Sequence, residues 1–151
     1  MDDEHDLLAL DAQLCFALVT AARNVVAIYR PVLEPLGLTH PQYLVMLALW
    51  EQAPRSLGDL AAALAMEPAT LSPLVKRLET QGLVSRARRP GDERTLDIGL
   101  TAEGRALRSS ALDVPRQVMA RVGMAASDLA DLRDALAPFA GRRARDPHTA
   151  E

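Results

Sequence analysis

The stretch SLGDLAAALAMEPATLSPLVKRLETQGLVSRARRPGDERTLDIGL (residues 56–100) decides the fold. It predicts a helix, a short link, a second helix and a basic hairpin. Ser56 is a candidate N-cap for a helix over 57–65, and Met66, Glu67 and Pro68 lead into another over 69–81. Leu71, Leu74, Val75 and Leu78 form the buried stripe of that second helix. Thr70, Ser72, Lys76 and Arg77 lie largely off it. Pro73 frees the Ala69 carbonyl and implies a local bend, and Gly82 suits a left-handed C′ position. Leu96, Ile98 and Leu100 then alternate with Thr95, Asp97 and Gly99, the period of a half-buried strand. Residues 83–89 are its antiparallel partner, with Pro90 and Gly91 at the turn. From Lys76 to Arg94 there are six cations (Lys76, Arg77, Arg86, Arg88, Arg89, Arg94) against three anions (Glu79, Asp92, Glu93). The whole chain carries a net charge of -3. A helix pair followed by a cationic ribbon is the layout of a winged helix-turn-helix, with positive charge where phosphates of double-stranded DNA would lie.

Outward from this segment, the remaining chain reads as helical. Among its 151 residues 49% are hydrophobic and only 3% aromatic; the Ala and Leu content favours helices. A first helix is expected over 6–29, ended or kinked by Pro31 and Pro35. That start leaves Cys15 beyond the first turn. Its apolar residues (Leu7, Leu10, Leu14, Phe16, Leu18, Val25, Ile28) cover more than one face, so two neighbours should bury it. Thr39 caps a helix over 40–51 with Pro41 in its first turn. One long helix is expected from Thr101 to about Val122, stopped by Gly123, then a last one over 128–139 capped by Ser127. The expected organisation is a single domain. Residues 6–36 and 101–140 are dimerisation helices, 39–100 the winged helix-turn-helix, and 141–151 a loose tail. The fold class is mainly α with a small β-hairpin wing, as an intertwined dimer. Two-fold symmetry suits a palindromic operator.

Composition limits the other chemistries. Cys15 is the single cysteine, so no intrachain disulfide can form. His5, His40 and His148 are scattered, unlike a zinc ligand set, and no metal or cofactor is expected. No phosphate loop, nucleophile elbow or dinucleotide fingerprint occurs. The N-terminus opens Asp2, Asp3, Glu4, unlike a signal peptide. Asp11, Gln13, Arg23 and Asn24 interrupt the apolar run 7–29, so no membrane span is expected and the location should be cytoplasmic.

This order of parts resembles the MarR family of bacterial transcriptional regulators over nearly the whole chain. Asp92, Glu93 and Arg94 match its D-x-R wing motif, and LVKRLETQGLV is close to its recognition-helix pattern. LCFAL at 14–18 and YRPVLEPLGLTHPQYLVMLALWE at 29–51 look like the organic hydroperoxide resistance regulators. The resemblance makes Cys15 a peroxide-sensing thiol held by tyrosine hydroxyls, some of them from a partner subunit, with Tyr29 carried over directly. His40 stands where tyrosine is usual, and Val19 where another is common. An imidazole at 40 could donate a hydrogen bond and, if protonated, favour thiolate. With no second cysteine, the chain resembles the one-cysteine type, which uses a small thiol as mixed-disulfide partner.

Taken alone, Cys15 on an apolar helix reads as a small buried hydrophobe, and Tyr43 as packing. The surrounding motifs assign Cys15, Tyr29, His40 and Tyr43 to redox sensing. Thr70, Ser72, Lys76, Arg77, Arg86, Arg88, Asp92 and Arg94 are assigned to DNA, with Asp92 holding Arg94. The expected function is a repressor that senses organic hydroperoxides and releases its operator. The alternative is a regulator of the same fold gated by a phenolic or aromatic ligand in the dimer cleft, with Cys15 structural. An enzyme is not expected, since a thiol peroxidase would lack its resolving cysteine; a non-sensing architectural DNA binder is a further alternative.

Overall fold

The computed structural model describes residues 7–140; the expected tail at 141–151 lies outside them, as do His5 and His148. A 3-10 turn at Leu10–Ala12 precedes α1 (Leu14–Leu33). Next come α2 (His40–Glu51), β1 (Arg55–Ser56), α3 (Leu57–Ala63) and α4 (Pro68–Thr80). The chain continues with β2 (Val84–Arg89), β3 (Asp92–Leu100), α5 (Ala102–Ala111), α6 (Val114–Val122) and α7 (Ala126–Leu136).

Several expected caps are present. The Thr39 hydroxyl accepts from the Gln42 N–H at 3.4 Å while the Gln42 side chain accepts from the Thr39 N–H at 3.0 Å, a reciprocal capping box. Ser56 accepts from the Asp59 N–H and Thr101 from the Gly104 N–H, each at 3.0 Å. After α4, Gly82 adopts a φ of 77°. Its N–H reaches the Glu79 carbonyl and that of Leu83 reaches Leu78. This Schellman closure turns the chain directly into β2.

Four expectations are corrected. The first helix begins at Leu14 rather than near Asp6, because Gln13 is extended and leaves the preceding turn as a separate 3-10 piece. It also runs through Pro31 to Leu33, where Val32 and Leu33 are buried; that packing offsets the hydrogen bond a proline removes. The long helix from Thr101 is two helices, since Pro115 in the first turn of α6 cannot donate back to Ala111. The N-cap of α7 is Ala125 rather than Ser127.

The sheet has three antiparallel strands in the order β1-β3-β2. The hairpin pairs Arg86 with Ile98 and Ala87 with Asp97, with a register shift between Arg88 and Arg89. β1 adds an unexpected third strand, Arg55 opposite Ile98. One core joins the parts: Leu33, Met46 and Leu49 from α1 and α2, Leu60, Leu71 and Leu78 from α3 and α4, Ile98 from the sheet and Val114 from α6. At the joint between β2 and α5, a Cβ on Gly104 would collide with the Leu83 carbonyl oxygen. The Gly104 carbonyl itself accepts from Trp50 Nε1 at 2.8 Å.

The N-terminal part of α1 stands apart from this core. It packs little, and Leu14, Phe16, Val19, Val25 and Val26 are exposed together with Leu7, Leu8 and Leu10. By length and composition alone residues 14–36 could cross a membrane; Arg23 and Arg30 lie within that stretch.

Candidate nucleic-acid interface and sensor site

α4 presents two faces. Leu71, Val75 and Leu78 are buried, while Thr70, Ser72, Lys76 and Arg77 are all exposed, the division the apolar spacing dictates. Among the described residues neither Lys76 nor Arg77 has an ion-pair partner. Both are therefore available to an anion.

The wing is organised by its own hydrogen bonds. Asp92 accepts from the Arg94 backbone N–H at 3.1 Å and from the Thr95 hydroxyl at 2.5 Å. The Thr95 hydroxyl, followed by the Arg94 N–H, draws its carboxyl below the usual carboxylate range. Asp92 thus grips the main chain of Arg94 and leaves the guanidinium free to point outward. Arg88 donates to the Glu93 carbonyl across the turn. Arg86 and Arg89 are engaged internally: Arg86 pairs with Glu79 at 2.9 Å and Arg89 with Asp97 at 2.9 Å. Sequence reading missed both pairs.

The residues that the sequence assigns to sensing fall in two places. Tyr29, His40 and Tyr43 form one aromatic group. The Tyr29 and His40 rings meet edge to face at 4.8 Å between centroids, and Tyr29 and Tyr43 lie 5.9 Å apart. Burial moves His40 below its ordinary pKa. Of the two forms left open for His40, burial favours the neutral one, because a desolvated imidazole resists its charged form. Burial, then the neighbouring Tyr29 hydroxyl, raises Tyr43. Cys15 lies elsewhere, exposed at the second residue of α1. Cys15 and Tyr29 are 14 residues apart on that one helix, about 21 Å at 1.5 Å per residue. No thiol of this chain can touch its own aromatic group. Cys15 lies in the first turn and not beyond it as expected, among N–H groups that lack intrahelical partners.

A cavity of about 350 Å³ opens beside the aromatic group, between α2 and the α5–α6 corner, lined by Tyr43, Leu47, Trp50, Arg108, Leu112 and Pro115. Sequence reading missed it; the Pro115 break that shapes one wall was the available signal.

An exposed polar helix face beside a cationic, internally braced hairpin defines a winged helix-turn-helix DNA-binding protein. The MarR family profile matches residues 38–96. The organic hydroperoxide resistance transcriptional regulator of Bacillus subtilis (strain 168) is 37% identical over 136 residues, spanning 90% of this chain and 92% of its own. The chain belongs to the MarR family of transcriptional regulators. Among solved structures, reduced AbfR bound to DNA superposes with a TM-score of 0.72 at 31% identity, covering 86% of this chain and 91% of that one. Bordetella bronchiseptica BpsR, whose DNA binding is regulated by 6-hydroxynicotinic acid, gives 0.79 at 26% identity, covering 89% and 98%. These relatives are regulators rather than enzymes, and this protein is a DNA-binding transcriptional regulator.

Proposed function

We propose that this regulator is a homodimeric repressor that binds a palindromic operator and releases it when an organic hydroperoxide oxidises Cys15. The observation that carries the reading is the exposed Cys15 in the first turn of α1, in a chain 37% identical to a hydroperoxide resistance regulator. Residues 6–36 and 101–140 supply the dimer seam and residues 39–100 the reading head. The apolar side chains left open on α1 are the surface a second copy would cover. Thr70, Ser72, Lys76 and Arg77 enter the major groove. Arg94, with its backbone held by Asp92, reaches the neighbouring minor groove, and Arg88 stands beside it. The protein acts in the cytoplasm, where DNA and a small thiol pool coexist.

The chemistry needs one thiol. The Cys15 thiolate attacks one peroxide oxygen, the O–O bond breaks, and the alkoxide leaves and takes a proton to become an alcohol. Sulfur is oxidised to sulfenic acid. A small cellular thiol then condenses with it, releasing water and leaving a mixed disulfide. Either product is larger and more polar than a thiol in an apolar seam. The two recognition helices lose their one-turn spacing. The Tyr29, His40 and Tyr43 group of one subunit receives Cys15 of the other.

The test is duplex binding before and after cumene hydroperoxide, with mass spectrometry of Cys15. Release that tracks Cys15 oxidation supports the reading. Release with Cys15 unmodified overturns it. The cavity beside Tyr43 and Arg108 favours a second reading, a phenolic or aromatic carboxylate as effector. That reading requires ligand-driven release to survive in Cys15→Ser.

A further inference from the structure

Glu79, next to the end of α4, and Arg86, on β2, are seven residues apart and meet across the Gly82 turn. Arg86 Nε and Nη2 donate to Glu79 Oε2 and Oε1, both at 2.9 Å. This fork geometry fixes direction as well as distance. Both ends are rooted in packed backbone: Leu78 precedes Glu79, and Ile98 stands opposite Arg86, each fully buried. The Arg86 guanidinium holds the Glu79 carboxyl below its ordinary range, so the pair stays ionised at neutral pH. The Arg86 and Glu79 side chains are 32% and 37% exposed, and Glu79 also feels the charge of Lys76 on the same helix.

We propose that Glu79 and Arg86 form a positioning clamp that sets the wing at its angle to the recognition helix. The clamp lets α4 and Arg94 engage adjacent grooves together, and it withholds Arg86 from the phosphates. The charge count changes accordingly. Of the six cations between residues 76 and 94, Arg86 and Arg89 are matched by Glu79 and Asp97. Lys76, Arg77, Arg88 and Arg94 remain for DNA. The inference rests on the DNA-binding reading and is independent of peroxide sensing.

The sign of one substitution separates a clamp from a phosphate contact. Glu79→Gln removes an anion from a DNA-facing surface. Through-space electrostatics alone makes duplex binding tighter; loss of the clamp makes it weaker. The probe is a duplex enriched by the parent protein from a randomised pool, titrated over a range of salt. The clamp predicts that Glu79→Gln and Arg86→Gln each weaken binding about tenfold. The salt slope should stay unchanged in Arg86→Gln, and the swap Glu79→Arg with Arg86→Glu should recover most of the affinity. A slope reduced by about 0.9 per subunit in Arg86→Gln would mean a released phosphate counterion and overturns the clamp. Tighter binding by Glu79→Gln, or a swap no better than the single variants, overturns it as well. An exposed pair contributes little to folding, and thermal unfolding of each variant within a few degrees of the parent confirms that. A parent protein that enriches no duplex overturns the DNA-binding reading, and the clamp with it.

Discussion

The position of Cys15 determines what its neighbours can do. At the second residue of α1 it lies in the field of the helix N-terminus, where a negative charge is favoured. Cys15→Ser is expected to bind the operator like the parent and to ignore hydroperoxide, because its hydroxyl stays protonated. Anisotropy with and without peroxide checks this, and peroxide-driven release in the variant moves the sensor elsewhere. Because burial lowers the His40 pKa, the ring is already neutral above its ordinary value of about 6.5. Its cation is lost mainly below that value. The Cys15 oxidation rate should climb smoothly with pH as thiolate accumulates, more slowly in Tyr29→Phe, with His40→Ala altering its height and not its shape. A fall in rate near pH 6.5 that disappears in His40→Ala would restore the imidazolium.

The elements divide into those that local sequence determines and those it does not. α2 matches its expected span because Thr39, Pro41 and Gln42 each fit one capped start. The buried stripe and exposed face of α4 follow from spacing alone. By contrast, Leu7, Leu10 and Leu14 continue one apolar rhythm, which hides the extended Gln13 where α1 begins. The Glu79–Arg86 and Arg89–Asp97 pairs were hidden because they join residues from different turns or strands, and charge pattern along the chain is blind to that. β1 was missed because two residues carry no period. Two predictions belong here. Arg94→Ala should weaken operator binding and lower the salt slope by about 0.9 per subunit; an unchanged affinity and slope would place the wing outside the groove. Gly104→Ala should lower the unfolding temperature sharply, because its methyl would overlap the Leu83 carbonyl. Such overpacking costs about 1–3 kcal/mol or more. Thermal melts measure it, and a parent-like melt would show that the α5 joint can yield.

At the scale of the whole molecule, the apolar side chains on α1 and the separation of Cys15 from Tyr29 both bear on the proposed two-fold arrangement. Leu14, Phe16 and Val19 on α1 are 57%, 44% and 41% exposed in the single chain, and Leu7, Leu8 and Leu10 just before it are exposed too. So many exposed large apolar side chains along one segment suit an interaction site. If a second copy covers it, the cysteine of one subunit can approach the Tyr29, His40 and Tyr43 group of the other, which lies about 21 Å from its own by helix rise. Mixing subunits separates the two geometries. A mixed dimer of Cys15→Ser and Tyr29→Phe chains contains one cysteine. With a site built across the dimer, that cysteine meets the intact Tyr29 of its partner and oxidises at the parental rate. With a site inside each subunit, it meets the substituted ring of its own chain, which lacks the hydroxyl, and oxidises as slowly as in the Tyr29→Phe homodimer. Tagging the two chains, purifying the mixed species and following the single thiol by mass spectrometry reads the difference directly. A slow rate in the mixed dimer would leave the α1 surface as an interface but remove the partner from the sensing chemistry.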